Sequence, residues 1–230
     1  MYNQKKILGV IPARGGSVSV PKKNIQYIGE RSLLELAVTC AQEIPIFDHV
    51  VVSTDDDEFI KISKSFGVDV IARPAELASN DAIVELSVLH ALDQLKETRN
   101  MSFDIVALLE PTSPFRKAET VNLAIEKFIE SNASSLVTVV EQTESLGNLS
   151  DSGYFIPIVK DGPRRRQDRM PLFAECGVLY VAQASHLRET SSFVADDWLA
   201  HPVSPLEAID INTKYDFAYA QWIASTDLVE

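Results

Sequence analysis

Five short apolar runs rich in β-branched residues recur along the first 140 residues, at Ile7–Ile11, His49–Ser53, Val68–Ile71, Ile105–Leu109 and Leu136–Val140. Each has strand length, and they read as continuous apolar segments rather than the in-out alternation of a sheet with one wet face. Helically spaced stretches lie between them. Ser32 is placed to cap a helix whose inner face is Leu33, Leu36, Ala37, Cys40 and Ala41, and Asp56 to cap a second that Gly67 stops. Leu86, Leu89, His90 and Asp93 fall at mixed helical spacing within 83–95, and Val121, Ala124, Ile125 and Phe128 mark a fourth stripe. Apolar strands separated by helices specify a parallel sheet covered on both faces, a three-layer α/β architecture. A length of 230 residues suits one domain, 1–230.

The pattern changes near residue 141. Residues 141–163 are polar and turn-rich, with short strands expected at Tyr154–Val159 and Gly177–Ala182, and a closing helix from about Thr213 through Phe217, Ala218, Ala220 and Trp222. The segment 141–175 reads as an insertion, either a flap over a site or a dimerisation arm. The two cysteines, Cys40 and Cys176, have neither CxxC nor metal-ligand spacing, which points to a reducing compartment. No apolar run approaches the eighteen residues of a membrane span. Lys5-Lys6 followed by Ile7–Ala13 resembles a leader only faintly, because Gly9, Pro12 and Arg14 interrupt it. The expectation is a cytoplasmic protein with no membrane partner. A net charge of −12 argues against nucleic acid as a partner.

Ligands of open α/β sheets bind outside the carboxyl ends of the strands, and three segments are placed to reach that edge. The first, 11–24, follows strand one and holds Gly15, Gly16, Arg14, Lys22, Lys23 and Asn24. It matches neither a P-loop nor GxGxxG, but glycine amides and cations suit a phosphate chain; a solvated basic turn is the alternative. The second, Leu108–Arg116, is stiffened by Pro111 and Pro114 and offers Thr112, Ser113 and Arg116 as donors, or else it is an ordinary capped strand-to-helix turn. The third, Ala208–Thr213, projects Asp210 between apolar neighbours; a carboxylate there suits Mg²⁺, while Asn212 or Thr213 can cap the helix that follows. The histidines show no mutual spacing for metal or base work, and Cys176 has no neighbouring histidine to make it a nucleophile.

Taken together these segments resemble the acylneuraminate cytidylyltransferase family, the CMP-sialic and CMP-nonulosonic acid synthetases. The resemblance rests on Ile11-Pro-Ala-Arg-Gly-Gly-Ser17 with Pro21-Lys-Lys-Asn24, on Val52-Ser-Thr-Asp55, on Arg73-Pro-Ala-Glu-Leu-Ala-Ser79, on Leu109-Glu-Pro-Thr-Ser-Pro114 and on Ile209-Asp-Ile-Asn212. It implies a Rossmann-like, mostly parallel nucleotidyltransferase sheet with a small dimerisation or sugar-loop insertion, and a homodimer. It also implies Mg²⁺-dependent transfer of CMP from CTP to the anomeric oxygen of an acidic nine-carbon sugar. Residue by residue, it implies catalytic roles for Arg14, Lys23 and Asp210, with Asp210 a magnesium ligand. Ala13, Arg14, Gly15, Gly16, Ser17, Lys23, Asn24, Arg73 and Ala82 fall at nucleotide positions, the turn 78–82 offering backbone edges to the cytosine. Arg165 and Gln167 match a pair near the sugar, in a segment often donated by the dimer partner.

The chain departs from the family pattern at four places. Val18 stands where a lysine is usual, Asn212 replaces a second aspartate, Glu110 replaces a glutamine, and Cys176-Gly177, preceded by Glu175, replaces Asn-Gly. Lys22 or Arg31 offers a substitute for the missing cation. Two accounts of Glu110 stay open. It shares the metal with Asp210, or it reads sugar substituents together with Glu175, alongside Thr112, Ser113, Arg116 and Cys176.

Overall fold

Each of the five apolar runs enters one seven-stranded sheet in the computed structural model, which describes residues 2–16, 20–79, 81–160 and 162–229. The strands are β1 (Ile7–Pro12), β2 (His49–Thr54), β3 (Asp69–Ala72), β4 (Ile105–Leu108), β5 (Ser135–Gln142), β6 (Leu172–Gln183) and β7 (Leu199–Pro202). Their spatial order is β7-β5-β6-β4-β1-β2-β3, and β6 alone runs antiparallel to its neighbours. The helices are α1 (Leu33–Gln42), α2 (Asp57–Ser65), α3 (Val84–Arg99), α4 (Ala118–Glu130), α5 (Ala184–Thr190) and α6 (Lys214–Ala224).

Alternate residues of the central strand feed two separate cores. Ile7 and Ile11 face α1, α2 and α4 through Leu34, Val38, Phe59, Val121, Ile125 and Phe128. Leu8 and Val10 face α3 and α5 through Val88, Leu92, Leu95 and Leu187. Burying both faces of β1 is what makes its sequence read as one unbroken apolar run. A third, smaller cluster joins Ile28, Leu33, Phe115, Ile211, Ala220 and Ile223, and seats α6 on a two-stranded ribbon, Tyr27–Ile28 with Arg31–Ser32.

Local signals at helix ends hold. Ser32 and Glu35 form a reciprocal capping box on α1, and Asp56 accepts from the amides of Glu58 and Phe59 at the start of α2. Gly67 takes φ +70° just past the end of α2. Thr213 and Asp216 form a second capping box on α6.

The structure adds to the sequence expectations at four places. The inner face of α3 is Ser87, Val88, Ala91, Leu92 and Leu95, whereas Leu86 is exposed. Ser87 takes an inward position because its hydroxyl donates to the Leu77 carbonyl. The strand expected at Gly177–Ala182 is the second half of the twelve-residue β6, and α5 and β7 were not anticipated. The two ends of the segment 141–175 belong to the sheet, since 141–142 complete β5 and 172–175 begin β6. Between them residues 143–171 carry a small ribbon, Gly147–Leu149 paired with Phe155–Pro157. Among the described residues no helix is long and apolar enough to cross a membrane.

Candidate active site

The chain steps from β1 outward to β3 and then returns to the other side of β1 with β4. This reversal opens a crevice at the carboxyl ends of β1 and β4. A cleft of about 440 Å³ lies there. Arg14, Gly16, Lys23 and Asn24 line it from the segment after β1, Arg73, Ser79 and Ala82 from the segment after β3, and Glu110 and Thr112 from the segment after β4. Asp210 and Asn212 reach it from the loop before α6.

Backbone bonds hold these loops in register. The fully buried Ile211 sits at their meeting point: its N–H donates to the Thr112 carbonyl at 2.9 Å, and its carbonyl accepts from Lys23 Nζ at 2.7 Å. One residue between Asp210 and Asn212 thereby ties three loops together. The capping box below it fixes Asn212 as well, whose N–H donates to Asp216.

One wall of the cleft is cationic. Arg14 Nη1 donates to the Ser79 carbonyl, which links the first loop to the turn after Arg73. Arg73 is buried; its Nε donates to Ser53 Oγ and its Nη2 to the Ser53 carbonyl. Burial lowers the Arg73 guanidinium to about 10, with Asp55 opposing the shift, so it stays charged at neutral pH. Burial also lowers the Lys23 ammonium, opposed by Asp210 and Glu110. Asn24 is buried and donates to the Arg14 carbonyl, bracing the loop on itself.

The other wall is acidic. Burial first and Asp210 second push the Glu110 carboxyl up to about 7. Asp210 Oδ2 accepts from the Asn212 amide at 2.7 Å, while its Oδ1 is buried with no partner. Asn212, which replaces a carboxylate, therefore serves as a donor that orients the remaining one. Gly177 presses against both acids: a Cβ on it would stand 3.0 Å from Glu110 Oε2, 3.6 Å from Ser113 Oγ and 3.9 Å from Asp210 Cγ. Ser113 Oγ is also buried without a partner.

Several candidates stand elsewhere than the sequence reading put them. Arg116 is buried and does not line the cleft; it donates from Nε to the Val178 carbonyl and from Nη2 to the Glu110 carbonyl, so it braces backbone. Ala13 is core, its N–H paired with the Ser53 carbonyl. The Gly15 amide donates to Asp55 Oδ1 and is not turned to an anion. Gly15 is required for closeness instead, since a Cβ would meet Asp56 Oδ2 at 2.6 Å, whereas one on Gly16 would meet nothing. Cys176 is buried beside Gly177, and burial raises its thiol. Glu175 is exposed, off the cleft, and accepts from the Tyr180 hydroxyl at 2.6 Å. Arg165 and Gln167 stay on the excursion and do not line the cleft of their own chain. Lys22 pairs with Glu58 on the surface and Arg31 lies on the outer ribbon, and neither lines the cleft. Ser17 and Val18 lie outside the described residues. Sequence reasoning passed over Ser53 and Asp55 as site builders; their motif was visible, but only the fold shows that it braces Arg73 and Gly15.

The carboxylates of Asp210 and Glu110 are the residues here that could hold a magnesium ion, which takes one or two protein carboxylates rather than an all-protein cage.

Comparison with known proteins points the same way. A family model described as cytidylyltransferase matches residues 8–154. A CMP-N,N'-diacetyllegionaminic acid synthase of Legionella pneumophila is 29% identical over 231 residues, covering 94% of this chain and 95% of its own. An N-acylneuraminate cytidylyltransferase of Streptococcus agalactiae serotype V is 30% identical over 221 residues, 93% of this chain; the chain spans about half, 52%, of that relative's length. A solved CMP:2-keto-3-deoxy-manno-octonic acid synthetase in complex with CTP superposes with a TM-score of 0.71 at 14% identity, covering 96% of this chain and 98% of the other.

Proposed function

The chain belongs to the cytidylyltransferase family, and we propose that it transfers CMP from CTP to the anomeric oxygen of a nonulosonic acid, releasing pyrophosphate. The observation that carries this reading is the gathering of both signs of charge in one crevice, Arg14, Lys23 and Arg73 together with Glu110 and Asp210. The triphosphate lies along the cationic wall. The anomeric oxygen attacks the α-phosphorus, the bond from that phosphorus to the bridging oxygen breaks, and the hydroxyl proton leaves to solvent or a neighbouring base. Negative charge moves onto pyrophosphate, where Arg14 and Lys23 stabilise it. Lys23 is held in place by a carbonyl oxygen, which fixes its position without cancelling its charge. Ser79 and Ala82, which line the cleft and are joined by a bond from the Ala82 N–H to the Ser79 carbonyl, present backbone edges to the cytosine.

Asp210 and Glu110 would hold Mg²⁺; when bound, the ion neutralises charge on the triphosphate. The unpartnered Asp210 Oδ1 supports this assignment, and a cation beside Glu110 offsets the burial that raises its carboxyl. We assign the excursion 143–171 to a homodimer contact. Leu149 and Tyr154 are 75% and 74% exposed, with Ile158 and Met170 also bare, so its ribbon presents apolar surface to a second copy. The arginines 164–166 and 169 are then available to the partner's cleft and its anionic sugar. Two cysteines outside any disulfide agree with a cytoplasmic site of action.

The test is pyrophosphate release with Mg²⁺, each nucleoside triphosphate being assayed against a panel of nonulosonic acids. Turnover with CTP and at least one such acid is expected. CTP binding without turnover would point to another acceptor, and absence of CTP binding would overturn the reading. Sedimentation equilibrium checks the dimer: a monomer at micromolar concentration removes that assignment.

A further inference from the structure

Strand β6 carries an irregularity beside the site. Its Cys176 pairs with Thr138 of β5, yet Tyr180 pairs with the adjacent Val137, so Gly177, Val178 and Leu179 bulge out with no opposing residues. A bulge in a buried strand strands backbone polar groups unless something else bonds them. Two side chains do so here. The buried Thr138 hydroxyl accepts from the Leu179 N–H at 3.0 Å and lies 2.9 Å from the Cys176 carbonyl and 3.1 Å from that of Leu179, bridging both ends of the bulge. From the opposite side Arg116 bonds the Val178 carbonyl and the Glu110 carbonyl together.

We propose that Thr138 is a positioning residue for the transfer reaction, acting through this bulge on the two carboxylates of the acidic wall. It does not line the cleft itself. The path runs from its hydroxyl to the bulge, and from Gly177 at the front of the bulge toward Glu110, whose Oε2 lies 3.0 Å from where a Cβ on Gly177 would stand. A Cβ at Gly177 would crowd Glu110 Oε2 at 3.0 Å but meet Asp210 Cγ only at an ordinary 3.9 Å, so a forward shift of the bulge is felt first at Glu110 and, through it, along the acidic wall. Displacements near 1 Å in a reacting assembly cost about 10²-fold in rate. In sequence Thr138 is only a member of an apolar run, and its hydroxyl acquires a purpose once β6 bulges over it.

The inference rests on the cytidylyl transfer proposed above, so wild-type turnover is established first with CTP, Mg²⁺ and the best acid sugar of the panel. Thr138→Val keeps the volume and removes the hydroxyl, while Thr138→Ser keeps the hydroxyl. For Thr138→Val the expected result is a loss of about tenfold or more in kcat, with the CTP Kd from calorimetry within about twofold of wild type. Thr138→Ser is expected to turn over at near the wild-type rate. Equal kcat in Thr138→Val, parallel loss of CTP binding, or a Thr138→Ser as slow as Thr138→Val overturns the positioning role while leaving the reaction standing. Should Thr138→Val fail to fold, Gly177→Ala decides: it presses the acidic wall from the same bulge and is expected to lower kcat with CTP binding kept, and unchanged kcat overturns the proposal. Wild-type silence with every acid sugar removes the proposed reaction and this role with it.

Discussion

The two walls of the cleft differ in how far the chain has finished them. On the cationic wall Arg73 and Lys23 are anchored on carbonyl oxygens of Ser53 and Ile211, so position is fixed while charge is kept for a ligand. On the acidic wall, Asp210 Oδ1 and Ser113 Oγ are buried without partners, and Glu110 is held near neutrality by burial and by Asp210. Buried polar atoms left unpaired are costly, each on the order of 1–3 kcal/mol, so the acidic wall is the one that a ligand, by bringing a cation or hydrogen-bond donors, stabilises most. The cationic wall is preorganised for phosphate and the acidic wall waits for what arrives with it.

The comparison breaks most sharply at Lys23. Replacing it with methionine keeps the chain length and removes the ammonium that bonds the Ile211 carbonyl and interacts electrostatically with both acids. Loss of one preorganised charge at a developing anion costs about 10²–10³ in kcat. The expected outcome is a fall of that size in pyrophosphate release at saturating CTP, with circular dichroism unchanged. A kcat within threefold of wild type would show that the wall does not act on the leaving group.

A smaller effect separates the two glycines of the first loop. Gly15→Ala forces a methyl group against Asp56, the cap of α2, and the loop must shift or the cap must turn. Loss of a cap is worth about 1 kcal/mol, so a lower Tm and a severalfold higher KM for CTP are expected. Gly16→Ala, with open space around its Cβ, is expected to match wild type on both counts. Equal behaviour of the two variants would mean that the loop is held by something other than its contact with α2.

Much of this was legible in the sequence for a physical reason. Strands buried on both faces cannot alternate, so β1, β2, β4 and β5 announced themselves, and Ser32, Asp56 and Thr213 are residues whose side-chain oxygens suit the free amides of a helix start. The loops lining the cleft followed from strand ends. What stayed illegible depended on burial or register. Arg116 has the chemistry of an anion ligand, and only its depth beneath Val178 and Glu110 makes it a brace. The bulge at Gly177 is invisible to periodicity because it is a mismatch between two strands. α5 has seven residues and no capping side chain, and β7 is a four-residue edge strand ending at Pro202; neither is long enough to set a period.

The last predicted effect, one on stability alone, tests the acidic wall without any substrate. A carboxyl whose folded pKa is raised, here to about 7 from 4.5, contributes stability that is fully present below pH 4.5 and is lost as pH rises through 7. Glu110→Gln removes that dependence, because the amide never ionises beside Asp210. The variant should therefore gain on wild type between pH 5 and pH 8, by on the order of 2 kcal/mol after allowance for partial exposure, or about 4–8 °C in Tm. His90 and His201, whose imidazoles burial lowers, cancel in this comparison because both proteins carry them. Adding Mg²⁺ sharpens the result. If Glu110 and Asp210 share the ion, magnesium raises the wild-type Tm at pH 8 and closes part of the gap, since it favours the ionised carboxyl that the variant lacks. A gap that magnesium leaves untouched, together with a raised KM for the acid sugar in Glu110→Gln, would assign this carboxyl to the sugar and leave Asp210 as the metal's only carboxylate among these two.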